Sequence, residues 1–126
     1  MKVIVCGAGK VGLSIAQYLE QHGNDVIVID SSPDLIKKIT ETLDVQALHG
    51  YASDPATLDR AGASDADMVI AVTPIDEINM MTCLVAASVF QIPKKMARVR
   101  NQAYLEKKWS RLFDEHYLKV DKIITP

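Results

Sequence analysis

Six consecutive residues, Gly7-Ala8-Gly9-Lys10-Val11-Gly12, have the spacing G-x-G-x-x-G and follow directly on the apolar run Val3–Cys6. A turn of this kind holds phosphate through its backbone. Gly7 permits the tight turn, Gly9 lets the chain approach a pyrophosphate with no Cβ in the way, and Gly12 lets the next helix pack closely on its strand. The unsatisfied N–H groups and positive dipole end at the start of that helix favour an anion by about 0.3–1 kcal/mol. Lys10 adds a full charge. Asp30, 18 residues beyond Gly12 at the end of the second apolar run, is placed to accept hydrogen bonds from both hydroxyls of an adenosine ribose, and its charge opposes a 2′-phosphate. Ser31 is counted with it among the ligand-facing positions. The pair points to a nucleotide: NAD(H) in preference to NADP(H), with ADP and ATP offering the same ribose and a similar phosphate chain. Without the glycines, Asp30 reads equally well as a strand-end carboxylate that caps Ser32-Pro33 or meets solvent.

These residues need a scaffold, and the pattern supplies one. Short β-branched runs at Val3–Cys6, Asp25–Ile29, Val45–Leu48, Met68–Val72, Met96–Val99 and Leu118–Ile124 read as strands. Val11, Ile15, Ala16 and Leu19 share a helical face closed by His22-Gly23, and Ser32-Pro33 opens a second helix running to about Leu43. Asp76 is expected to cap a third helix with a stripe of Ile78, Met81, Val85 and Val89, ending before Pro93, and a fourth is expected over Gln102–Phe113. Continuously apolar strands alternating with helices imply an α/β fold, a doubly wound, mostly parallel Rossmann-like sheet with helices on both faces. Ligands in such sheets lie beyond the strands' carboxyl ends at the switch point, which brings Gly7–Val11 opposite Thr73. Thr73 otherwise serves as a helix cap or makes a local backbone bond.

Acid–base candidates are few. His22 falls at a helix C-terminus, His49 ends the third strand, and His116 lies in the C-terminal third, none beside a carboxylate at catalytic spacing. Cys6 and Cys83 are far apart and read as small core residues, and Met80-Met81 as packing, so neither a disulfide framework nor a metal site is expected. A dehydrogenase would need a proton-handling group from a substrate domain, for which 126 residues leave no room.

Several further segments resemble, over nearly the whole chain, the N-terminal nucleotide-binding (RCK or KTN, TrkA-N type) domain of Trk-type potassium-uptake regulatory proteins. The glycine turn looks like that family's opening motif, Gly50-Tyr51-Ala52-Ser53 its loop after the third strand, and Ala61-Gly62-Ala63-Ser64-Asp65-Ala66-Asp67 its approach to the fourth. The run Ala71-Val72-Thr73-Pro74-Ile75-Asp76-Glu77-Ile78-Asn79-Met80, with its Thr-x-x-Asp-Glu-x-Asn block, is the most specific; Ala97-Arg98-Val99-Arg100 and Tyr104-Leu105 are similar to the segment after the fifth strand. The resemblance implies a non-catalytic cytoplasmic regulator, attached to the inner membrane only through a membrane-embedded potassium transporter subunit and working as a homo-oligomer. Carried over by position, Gly7 to Val11 would hold the pyrophosphate and Asp30 the ribose. Tyr51 and Ala52 would border the adenine, Thr73 and Pro74 the second half of the ligand, and Arg98 a distal phosphate or partner subunit. Tyr51 departs from the acidic or small polar residue expected there and leaves stacking as its contribution. From the residues alone, Arg98 reads as readily as a solvated strand-end charge.

Composition narrows the classes. The chain is 48% apolar and 24% charged, ordinary for one globular domain spanning residues 1–126. Its net charge of −2 lacks the basic excess of a nucleic-acid binder, although residues 1–93 carry five basic against twelve acidic side chains (−7) and residues 94–126 nine against four (+5). The apolar stretch Thr82–Phe90 is less than half a membrane span, so no direct membrane insertion is expected. With no helix expected to cover the last strand, the chain reads as a fragment of a longer protein. The competing reading is the cofactor domain of an NAD-dependent oxidoreductase lacking its substrate domain.

Overall fold

A computed structural model of the chain describes residues 1–125; Pro126, the final residue of the expected domain, lies outside the described residues. Six strands form one sheet in the order β3-β2-β1-β4-β5-β6: β1 Lys2–Cys6, β2 Asp25–Asp30, β3 Gln46–His49, β4 Met68–Ala71, β5 Lys94–Arg98 and β6 Lys122–Ile124. Every pairing is parallel, with Val3 opposite both Val26 and Met68 at the centre. The chain leaves β1 toward one edge and returns through β4 toward the other, so the strand order reverses between β1 and β4.

The two-residue side-chain period of a strand splits the core into two layers. Val3 and Val5 of β1 pack with Val26, Val28 and Ile70 under α1 (Lys10–Gln21) and α2 (Pro33–Thr42). Ile4 and Cys6 point the other way, joining Ile29, Val69 and Ala71 under α3 (Pro55–Arg60) and α4 (Asp76–Ser88). A third cluster, Met80, Cys83, Ala97, Val99, Phe113 and Val120, ties α4 and β5 to the C-terminal stretch. The expected doubly wound parallel sheet with helices on both faces is the fold observed.

Particular elements differ from the sequence expectation. The helix α3 was not anticipated, yet Asp54-Pro55 repeats the cap-then-proline signal of Ser32-Pro33: the Asp54 carboxylate accepts from Ala56 N–H at 3.0 Å, as Ser32 Oγ does from Leu35 N–H at 3.3 Å. Asp76 is not the cap of α4. Ile75 holds that position without a side-chain bond, and Asp76 is turned inward to receive the backbone N–H of Arg100 and Asn101. The expected inner stripe of α4 is also displaced: Met81 and Val89 are exposed, while Asn79, Met80, Thr82, Cys83 and Ala86 face inward. Because α4 is apolar nearly all round, periodicity selects no face, and backbone partners draw Asn79 and Thr82 inside. Finally, Gln102–Phe113 is not one α-helix but two 3₁₀ segments, Gln102–Leu105 and Lys107–Phe113.

Candidate functional site

The turn from β1 into α1 is fixed by contacts that exclude side chains. Gly7 has φ +115, in the left-handed region, and a Cβ there would lie 2.8 Å from the Val72 carbonyl oxygen. A Cβ at Gly12 would fall 1.7 Å from the carbonyl oxygen of Gly7, so α1 reaches the strand only because Gly12 has none. Gly9 is different: a Cβ there would meet nothing within 4 Å. The fold does not need glycine at 9, and the space above it stays open. Gly9 is also the N-cap of α1 and provides no side-chain acceptor, which leaves the first amides of the helix without the partner that Ser32 gives α2.

Those amides open into a cleft of about 380 Å³ at the carboxyl ends of β1 and β4, where the strand order reverses. Gly7, Gly9, Lys10 and Val11 form one wall, Asp30, Ser31, Tyr51 and Ala52 a second, and Thr73, Pro74 and Arg98 the third. Eleven of the residues singled out in the sequence therefore border one cavity. Ala8 and Gly12 stand behind the wall: Ala8 gives its N–H to Asp30 Oδ2 at 2.7 Å, and Gly12 sits against Gly7. Asp30 Oδ1 accepts from Ser32 N–H at 2.8 Å. Its carboxylate thus binds the glycine turn to the start of α2 and keeps acceptor sites on both oxygens, since a carboxylate offers about four.

The third wall is built from side chains that hold backbone. Asn79, fully buried, accepts from Thr73 N–H at 2.9 Å and from Thr73 Oγ1 at 2.6 Å, and its amide donates to the carbonyls of Thr73 and Arg98 at 3.0 and 2.9 Å. Thr73 also receives Ile75 N–H on its hydroxyl at 3.3 Å, the local backbone bond that was one of its two residue-level readings. Arg98 is not a solvated strand-end charge: Nη2 donates to the Val72 and Thr73 carbonyls at 2.9 and 3.1 Å, and its buried Nε–H has no partner among the described residues. Burial, then the neighbouring Arg100, lowers the guanidinium's pKa, against the opposing pull of Asp76. Sequence reasoning gave Asn79 no role. Its signal was an amide in an otherwise apolar helix, which a buried position tolerates only when bonded.

Among the described residues, no histidine or cysteine lines this cavity. The His22 ring stacks on Tyr18 and lies 2.7 Å from the Tyr18 carbonyl, His49 Nε2 is 3.0 Å from the Ser31 carbonyl, and His116 is exposed near Glu115. Burial pushes the Cys6 thiol far up, and the Cys83 thiol to about 12 against the lowering effect of Lys95, so neither is a thiolate nucleophile. Among the described residues there is no cluster of metal-ligating side chains, and no helix is long and apolar enough to cross a membrane.

A parallel sheet with a glycine turn at its switch point, an uncapped helix start and a strand-end carboxylate together define a domain of the mononucleotide- and dinucleotide-binding class. Within that class the chain belongs to the TrkA-N domain family, whose sequence profile matches residues 3–126. It is 45% identical over 126 residues to the Trk system potassium uptake protein TrkA of Azorhizobium caulinodans and 43% identical to that of Halomonas elongata. All of this chain is covered in both, but only 28% and 27% of those proteins. The chain thus spans little more than a quarter of the relatives' length. Among solved structures, the TrkA-N domain of the inner membrane protein ybaL from Escherichia coli superposes with a TM-score of 0.82 at 17% identity, over 98% of this chain and 86% of that one. The GsuK channel bound to NAD gives 0.78 at 17% identity, over 98% and 21%; the Shewanella denitrificans Kef CTD in AMP-bound form gives 0.76 at 21%, over 100% and 72%.

Proposed function

We propose that this chain is the nucleotide-sensing domain of a potassium-uptake regulator, taking NAD(H), or ADP or ATP, in the cleft between Gly7–Val11 and Asp30. The single observation that carries the reading is the open space at Gly9 above an α1 start with no side-chain cap, in a turn whose other glycines are demanded by the fold itself. A phosphate accepts hydrogen bonds from those amides, with Lys10 adding charge at the rim. The free acceptor sites of Asp30 suit the paired ribose hydroxyls and repel a 2′-phosphate, while Ser31 borders the sugar, Ala52 borders the adenine and Tyr51 offers it an exposed ring for stacking. Thr73, Pro74 and Arg98 face the remainder of the ligand. Ala8 and Gly12 serve the site indirectly, by fixing Asp30 and the helix approach.

The NAD in the GsuK channel and the AMP in the Kef CTD support a nucleotide in this cleft, and the names of the full-length relatives support potassium uptake as the process served. In this reading the domain, residues 1–126 of a longer protein, catalyses nothing and lies in the cytoplasm beside the inner membrane. It works in a homo-oligomer and biases a membrane-embedded potassium transporter by binding nucleotide more tightly in one arrangement than the other, a difference worth about 1–3 kcal/mol in typical coupled systems.

Calorimetry of the chain with NAD, NADH, ADP and ATP is expected to show saturable heat for at least one of them. Gly9→Val places a branched side chain where the phosphate must lie; it is expected to abolish that heat while unfolding as the wild type does. Undiminished affinity in a folded Gly9→Val protein removes the phosphate-turn assignment.

A further inference from the structure

The stretch after β5 is built in a way its sequence does not favour. Runs of 3₁₀ helix longer than three or four residues are uncommon because their hydrogen bonds are poorly aligned. Here a four-residue and a seven-residue run stand end to end, Gln102–Leu105 and Lys107–Phe113, separated by Glu106 alone. No Gly or Pro occurs between Asn101 and Phe113, and Leu105, Trp109 and Leu112 are spaced i, i+4, i+7, as on one face of an α-helix. Asn101 already occupies an N-cap, its side chain accepting from Ala103 N–H at 3.0 Å. The one break is at Glu106, with φ −62 and ψ 134. Rotating that ψ to about −42° gives α-helical backbone.

Resting on the nucleotide reading above, we propose that Gln102–Phe113 is the two-state readout of the cleft: two 3₁₀ turns hinged at Glu106 while Arg98 holds the Val72 and Thr73 carbonyls, one continuous α-helix once a phosphate in the cleft draws Arg98 away. The 3₁₀ form is held from α4. Asp76 receives the N–H groups of Arg100 and Asn101 at 2.9 and 2.8 Å, and the Tyr104 hydroxyl donates to Glu77 Oε2 at 2.7 Å. In this form Trp109 is 53% exposed beside the exposed Tyr117. The α form gathers Trp109 with Leu105 and Leu112 on one stripe.

The same turn of α4 is tied to the cleft. Asn79 joins Thr73 to Arg98, and Arg98 spends its Nη2 on the Val72 and Thr73 carbonyls while its Nε–H goes unpaired. A phosphate competes for that guanidinium with a stronger, charge-assisted bond. Once Arg98 releases the two carbonyls, loop 73–75 and the first turn of α4 are free to shift, which loosens the holds of Asp76 and Glu77 on residues 100–104. The ligand discriminates between the two states because Arg98 is bound to backbone in one and to phosphate in the other; without such a difference it would shift nothing.

Trp109 is the only tryptophan of the chain, so its emission reports on this stretch directly. ATP, which does not absorb where tryptophan emits, is titrated into the wild-type chain with calorimetry, tryptophan emission and far-UV circular dichroism followed together. The expected result is binding heat accompanied by a shift of emission to shorter wavelength and a gain of α-helical signal at the same stoichiometry. Tyr104→Phe, which removes the hold from Glu77, is expected to show part of the emission shift before any ATP is added and to bind ATP more tightly than the wild type, because less of the switch remains to be driven. Heat without change in emission or helicity overturns the two-state proposal and leaves the nucleotide reading standing, and so does a Tyr104→Phe protein that emits as the wild type does without ATP. No heat in the wild-type chain with ATP, nor with ADP, NAD or NADH, removes both.

Discussion

The two sides of the cleft are built on opposite principles. On the β1–α1 side the backbone itself is the binding surface, and its shape is set by missing side chains: Gly12 lets α1 close to within van der Waals contact, and Gly7 takes a φ that other residues avoid. On the β4–β5 side the surface is held by side chains that reach across the sequence to grip backbone. Asn79 spans 19 residues to Arg98 and Asp76 spans 24 and 25 to Arg100 and Asn101. A backbone surface locked by contact has one shape. A surface held by a few replaceable hydrogen bonds can have two, so the difference separates the side suited to grip a ligand from the side suited to report it.

The first way to break this comparison is Gly12→Val. With a Cβ 1.7 Å from the Gly7 carbonyl oxygen and backbone on both sides, nothing flexible can yield. The expected cost exceeds ~3 kcal/mol, a large part of a small domain's total stability. A urea denaturation curve checks it; a midpoint near wild type would mean that α1 is not pressed against the turn. Asn79→Ala comes second. It leaves the Thr73 N–H and the Arg98 carbonyl without the Asn79 amide and the Thr73 carbonyl with Arg98 alone, an expected loss of about 2–3 kcal/mol. Amide exchange locates the damage: residues 98–104 should exchange faster while β1 and α1 keep their protection. Uniformly faster exchange would show that the two sides do not behave as separate units.

The glycine side was legible in the sequence because its chemistry is local. Gly7, Gly9 and Gly12 lie within six residues, each type has few alternative reasons to be there, and Asp30 follows at the spacing one crossover dictates. The doubly wound parallel sheet, with its switch point beside the glycine turn, was legible for a similar reason, since apolar β-branched runs joined by helices pack in few ways. The other side was not. Asp76 at a helix start has an ordinary local explanation as a cap, and only the fold reveals that its partners are Arg100 and Asn101. Asn79 was passed over and the exposed Met81 placed in the inner stripe because α4 is apolar on nearly every face, so its buried side is chosen by long-range contacts. Residues 102–113 carry helical spacing and yet form 3₁₀ turns, with Tyr104 bonded from outside the segment by Glu77 of α4, a contact no local pattern announces.

The smallest expected effect sharpens the comparison most, because it changes the backbone surface without disturbing its shape. Two of the helices that begin at this end of the sheet start differently: α2 has the Ser32 hydroxyl on Leu35 N–H, whereas α1 begins at Gly9 with extended backbone (φ −74, ψ −165) and no side-chain acceptor. Gly9→Ser supplies the missing cap in a geometry that already suits it, and its Cβ enters open space. Relative to glycine, a serine cap is worth only a few tenths of a kcal/mol, so the denaturation midpoint should rise slightly. The same hydroxyl satisfies an amide that the phosphate would otherwise take and occupies the room above it. The variant is therefore expected to be slightly more stable than wild type and to bind nucleotide several-fold more weakly. Raised stability with unchanged affinity would place the phosphate away from the α1 amides; lowered stability would mean that those amides already have partners in solution.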